Sequence, residues 1–151
     1  MSESLSWNTK FMAMTKLIAC WSKDPSTAVG CVIVNDDHTV LSTGYNGFPR
    51  KVKDDNRLLT RETKLKIVVH AEANAIAAAA RNGHILLNGI AYVTLFPCSQ
   101  CASLLIQAGI KKVITPFRSN IPERWKEDCD LAKGLFDEVG IECEEWVAYI
   151  N

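Results

Sequence analysis

From residue 69 onward the chain switches repeatedly between helix-forming and strand-forming stretches, and this alternation limits its fold more than any other property of the sequence. Val69 to Arg81 is alanine-rich and stops at Asn82-Gly83, a combination that predicts a helix and its end. Ala91 to Phe96 reads as a strand, Ser99 to Ala108 as a helix closed by Gly109, and Lys112 to Thr115 as another strand. Pro122 then opens a helix that runs to about Glu138 and ends at Gly140, and Ile141 to Trp146 forms a last strand. Crossover helices must pack on the sheet they connect, so the pattern predicts an α/β protein with a largely parallel sheet covered on both faces.

Upstream, Trp7, Phe11, Met14, Leu17, Ile18 and Trp21 recur at three- and four-residue steps behind Ser6, which predicts a capped amphipathic helix. Val29 to Val34 and Val40 to Tyr45 are short β-rich runs around Asn35-Asp36-Asp37-His38, the composition of a hairpin turn. The charge-rich stretch from Asn46 to Lys66 reads as a long loop with a short helix near its end, and loops of that length in small domains tend to be functional. With 151 residues and 48% hydrophobic content, one core is affordable and two are not, so residues 1–151 are expected to form one domain.

Seventeen basic and 17 acidic side chains cancel, so no overall field draws the chain toward nucleic acid or an anionic membrane. The longest apolar runs, such as Ala75 to Ala80 and Gly89 to Phe96, are far shorter than a spanning helix. Glu3 and the polar positions between Trp7 and Lys10 do not suit a secretory leader, and a cytoplasmic location is expected. In a reducing compartment the 6 cysteines are expected as core thiols or metal ligands rather than disulfides.

Three short segments carry the candidate chemistry: His70-Ala71-Glu72 at one helix start, Pro97-Cys98-Ser99-Gln100-Cys101 at the next, and the strand end Gly44-Tyr45-Asn46-Gly47. Cys98 and Cys101 are three apart, so on a first helical turn their sulfurs face one side and can share an ion. A neighbouring helix start can bring His70 to the same ion. Three protein ligands leave a tetrahedral zinc one open position, the arrangement of a catalytic rather than a structural site. Zinc lowers the pKa of a coordinated water from 15.7 to about 7. Glu72, two residues beyond the histidine, is then expected to carry protons and not to bind the metal. An H-x-E segment paired with P-C-x-x-C is a signature of zinc deaminases, whereas C-x-x-C alone also suits structural zinc or thiol redox chemistry.

At these residues the chain resembles the cytidine and deoxycytidylate deaminases, and the deoxycytidylate branch in particular. The resemblance also takes in Ser22-Lys23-Asp24-Pro25, Val29-Gly30, Phe48-Pro49, Ala73-Asn74-Ala75-Ile76 and Ile106-Gln107-Ala108-Gly109-Ile110. It implies a three-layer α/β/α sandwich with a five-stranded mixed sheet, a homo-oligomer between dimer and hexamer, and one Zn2+ per chain held by His70, Cys98 and Cys101. It further implies that Asn46 hydrogen-bonds the sugar, that the backbone amide of Ala71 holds the base carbonyl, and that Lys23 takes part in substrate binding. An aromatic residue usually closes over the substrate after the strand ending near Ile114. Here Thr115-Pro116 intervenes, so Phe117 is expected in that role and Arg118 at the phosphate.

Two departures stand out. Lys51 occupies a position where many members have glycine, in a loop resembling one that binds dCTP or dTTP, which speaks against such control. Lys51 to Val69 contains neither histidine nor cysteine, so a second, structural zinc has no ligands there. Cys20, Cys31, Cys129 and Cys143 are expected as buried small hydrophobes, His38 and His84 at the surface, and Trp7, Trp21, Trp125 and Trp146 at core or subunit-contact positions. The expected reaction is zinc-dependent hydrolysis of dCMP to dUMP and ammonia, with another base or nucleotide (dCTP, cytidine, guanine or tRNA adenosine) as the alternative.

Overall fold

A computed structural model describes residues 4–116 and 121–147. Five strands, β1 (Gly30–Val34), β2 (Val40–Tyr45), β3 (Ile90–Val93), β4 (Lys112–Pro116) and β5 (Glu142–Trp146), form one sheet in the order β2-β1-β3-β4-β5. The helices are α1 (Trp7–Ala19), α2 (Arg61–Ile67), α3 (Ala71–Asn82), α4 (Ser99–Gln107) and α5 (Glu123–Val139).

The sheet is mixed rather than largely parallel: β1 runs antiparallel to both neighbours, while β3, β4 and β5 are parallel. The crossover argument still holds in detail. Helix α3 carries the chain from β2 over β1 to β3, so β2 and β3 point the same way, and β1 sits between them as the antiparallel partner of each. The β1–β2 turn has His38 in the left-handed region, with its N–H donated to the Asn35 carbonyl at 3.1 Å.

Residues alternate across the sheet as the strand period requires. Cys31, Ile33, Ala91, Val93 and Val113 face α3, α4 and α5, whereas Val32, Val34, Tyr92 and Ile114 face α1. The larger core lies on the three-helix side and includes Phe136, which is wholly buried; its truncation to alanine is expected to cost about 3–5 kcal/mol. Both faces are covered, unequally.

Two glycines let helices approach the sheet. A Cβ at Gly30 would lie 2.2 Å from the Thr15 carbonyl oxygen of α1, and one at Gly44 would lie 2.2 Å from the Ala71 carbonyl oxygen and 2.4 Å from the Ala75 nitrogen. The first turn of α3 therefore rests directly on the backbone of β2. Ser42 strengthens this contact by donating its hydroxyl to the Ala75 carbonyl at 2.6 Å.

Several boundaries differ from expectation for visible reasons. Val69 belongs to a backbone bridge with Gly47, which exchanges hydrogen bonds of 2.8 and 3.1 Å, so α3 starts two residues later. Strand β3 stops at Val93 because Thr94 turns to Gly30, exchanging a backbone bond of 3.1 Å and a side-chain bond of 3.0 Å. Cys20 is exposed, since it caps α1 at its carboxyl end while Ile18 and Ala19 take the inner face. Trp7 and Trp21 are about half exposed, at 47% and 55%. Cys31 and Cys129 are buried, Cys143 is half-buried, and both His38 and His84 lie at the surface as expected.

Candidate active site

Both metal-binding motifs sit where a helix begins, the first after α2 and the Gly47–Val69 bridge and the second after β3. The residue before α3 is His70 (φ −69°, ψ 158°) and the residue before α4 is Cys98 (φ −71°, ψ 166°), so two first-turn positions share one extended cap geometry. Asn74 fixes the approach to His70 by donating to the carbonyls of Tyr45 at 2.7 Å and Val69 at 3.3 Å. Pro97 holds Phe96 extended ahead of Cys98. Within the second motif the Cys101 N–H donates to the Cys98 sulfur at 3.4 Å, a capping bond made by a thiol.

The three ligand atoms converge. His70 Nδ1 lies 3.4 Å from Cys98 Sγ and 3.6 Å from Cys101 Sγ, and all three atoms fall within 4.8 Å of one another. A tetrahedral zinc with bonds of ~2.1 Å to nitrogen and ~2.3 Å to sulfur would set nitrogen and sulfur ~3.5 Å apart. The residues fit the ion. Among the described residues no other His/Cys/Asp/Glu group of three or more has this arrangement.

The two sulfurs are inequivalent. A hydrogen bond from the Cys101 thiol, reinforced by His70, holds Cys98 down at about 4, and the same hydrogen bond together with burial pushes Cys101 well up. A divalent cation favours both thiolates and displaces that proton. Burial also raises the Glu72 carboxyl, which is only 4% exposed, and the hydrogen bond with Cys98 raises His70.

A cavity of about 590 Å³ includes His70, Glu72, Cys98 and Asn46 in its lining. Asn46 is buried, and its side chain is engaged: Oδ1 accepts from the Val29 N–H at 2.9 Å and Nδ2 donates to the Thr27 carbonyl at 2.8 Å. Ala71 is fully buried, and as the first residue of α3 it has an N–H that the helix cannot satisfy. Lys23 pairs with Asp54 at 2.7 Å and lines an adjoining depression of about 270 Å³, which shares Asp24, Asn46 and Leu58 with the larger cavity. Phe117 and Arg118 lie outside the described residues.

The sequence reading singled out none of several residues that line the cavity. Lys64 is 7% exposed, pairs with Asp24 at 3.0 Å and reaches Ser26 Oγ at 3.3 Å. Burial pushes Asp24 up, yet the N–H groups of Ser26 and Thr27 and the Lys64 ammonium outweigh it and hold the carboxyl below its ordinary range. The Asp-Pro-Ser-Thr composition, typical of a side-chain-closed turn, was the available signal. From α5 come Arg124, Trp125 and Asp128, so Trp125 is a half-buried cavity residue and not simply core. Of the basic residues between Arg50 and Lys66, only Arg61 and Lys64 line this cavity. Arg57 is paired with Asp55 and Lys66 with Glu62.

Fold and site define a zinc deaminase. The chain belongs to the cytidine and deoxycytidylate deaminase family, whose zinc-binding region matches residues 5–116. It is similar to the deoxycytidylate deaminase of Homo sapiens, 38% identical over 152 residues that cover 95% of this chain and 81% of that one. The Mus musculus enzyme is 44% identical over 146 residues, covering 91% and 78% respectively. The fold is also that of the dCMP deaminase from the cyanophage S-TIM5, at a TM-score of 0.77 and 23% identity over 95% of this chain and 99% of that one.

Proposed function

We propose that this chain hydrolyses dCMP to dUMP and ammonia. The observation that carries the reading is the convergence of His70, Cys98 and Cys101 beside a buried carboxylate that lines a nucleotide-sized cavity. The names of the human and mouse relatives supply the substrate. Zinc held by the three side chains supplies the Lewis acidity that makes a water nucleophilic at neutral pH.

The remaining work belongs to the protein. Glu72 takes a proton from the attacking water, passes it to the ring nitrogen beside the reacting carbon, and then serves the departing amine. Its burial among sulfurs favours a carboxyl that accepts and releases that proton. The Ala71 N–H, unsatisfied by its own helix, binds the base carbonyl, and Asn46 contacts the sugar with the donor and acceptor capacity its two loop bonds leave over. Arg61 and Arg124 give the cavity wall the positive charge that a monophosphate requires, and neither has an ion-pair partner among the described residues.

Homo-oligomerisation fits this reading, since Leu104 on α4 and Leu131 on α5 are large apolar side chains left 43% and 58% exposed. Among the described residues no helix is long and apolar enough to cross a membrane. A cytoplasmic setting, where reduced thiols persist, accords with cysteines serving as ligands.

The deciding experiment incubates zinc-loaded protein with dCMP, deoxycytidine, cytidine, dCTP and guanine, and follows ammonia release and the loss of cytosine absorbance. Turnover of dCMP above the rest is expected. Product from another member of the panel and none from dCMP would replace the substrate proposed.

A further inference from the structure

The strongest polar contact onto either metal-binding turn comes from a residue that neither motif contains. Asp128, half-buried on α5, lines the cavity and grips Ser99 twice: Oδ2 accepts the Ser99 N–H at 2.9 Å and Oδ1 accepts the Ser99 hydroxyl at 2.6 Å. Ser99 is the first residue of α4 and stands between Cys98 and Cys101. The clamp reaches across 29 positions of sequence, from one helix to the start of another.

The geometry points to Asp128 as the positioning residue of the two sulfur ligands, a role that rests on the zinc-deaminase reading above. Helix α4 needs an acceptor for its first N–H groups, and the cap it supplies for itself is the sulfur of Cys98, bonded to the Cys101 N–H at 3.4 Å. Sulfur is a weak acceptor, and this one is also a metal ligand. The carboxylate of Asp128 relieves it of part of that duty, because charge-assisted bonds are shorter and stronger than neutral ones and an anion suits a helix N-terminus. With the Ser99 backbone held, the Cα–Cβ directions of Cys98 and Cys101 are set before a cation arrives. Outer partners that fix the orientation of metal ligands typically change metal affinity by 10–100-fold when removed.

The test measures zinc affinity by competition with a chromophoric chelator and records the visible bands of the cobalt(II) form, both without nucleotide. Asp128→Ala is expected to weaken zinc binding by about 10–100-fold and to shift the cobalt spectrum. Asp128→Asn keeps an oxygen for the Ser99 N–H and offers an amide to the Ser99 hydroxyl, so it is expected to restore affinity to within about threefold. Ser99→Ala removes one of the two bonds and should fall between them, which keeps the question answerable should Asp128→Ala fold poorly. Parental affinity and an unaltered cobalt spectrum in Asp128→Ala, or equal weakening in the Ala and Asn variants, would overturn the proposal. Failure of the parent to deaminate dCMP would sink the substrate reading instead and leave these metal measurements standing.

Discussion

Two parts of the cavity wall are built by different means. At the metal-binding side chains, His70 and Cys98 are cap residues of helices packed on the sheet, and Cys101 and Glu72 are almost wholly buried behind them. Their positions are consequences of the sheet. The rest of the wall comes from α2, the 24–29 segment and the start of α5, with contacts such as the Lys64–Asp24 pair that span 40 residues. The proposed reaction chemistry thus sits on helix starts packed against the sheet, and the proposed substrate recognition on segments joined by side-chain contacts.

The largest expected effects lie at the metal-binding part. Glu72→Gln should lower kcat by about 10²–10⁴-fold with zinc content unchanged, measured by turnover alongside metal analysis. Cys101→Ala should instead lose the metal itself, and retention of stoichiometric zinc there would remove the basis for treating the two residues differently. Treatment with a strong chelator should likewise abolish turnover, which added zinc restores.

Next in size is the latch between α2 and the 24–29 segment. Asp24→Ala leaves a buried ammonium unpaired, and unfolding measurements should show a loss of about 3–5 kcal/mol while zinc affinity stays near the parental value. A fall in zinc affinity as large as that in the Cys101 variant would show that the two parts are one cooperative unit. Smaller still, Arg61→Ala combined with Arg124→Ala should raise KM for dCMP about tenfold and leave deoxycytidine kinetics alone, since only the nucleotide offers a phosphate.

The smallest effect is set by pH. The Asp24 carboxyl is held below its unfolded range, so its contribution to stability is complete above about 4 and disappears as pH falls through the lower folded value. Acid denaturation of Asp24→Asn compared with the parent should show the difference narrowing in that window. A difference that persists at lower pH would remove the carboxylate from the explanation.

The same division governs what could be read without coordinates. Ser6, Gly109, Pro122 and Gly140 act locally, and the helices they bound were legible for that reason. His70-Ala71-Glu72 and Pro97 to Cys101 were legible because cap positions and three-residue spacing are short-range geometry. Lys64 was lost among seven similar charges between Arg50 and Lys66, because only the return of α2 toward Asp24 buries it. Asp128 and Trp125 gave no local signal: an amphipathic helix announces its inner face but not that its first turns border a cavity formed 29 residues away. The β1–β3 pairing was missed since nothing in either strand names its neighbour.

Gly44 carries a last consequence. A strand residue at that place would ordinarily have a branched side chain, yet there is no room for even one methyl group, because the helix bearing Ala71 and Glu72 is seated on bare peptide. Mutational tolerance should therefore be very low at a position outside the metal-binding motifs. An alanine there would shift the whole acid–base apparatus as a block relative to the sulfurs on the neighbouring helix, altering catalysis through distance while every reacting group remains in place.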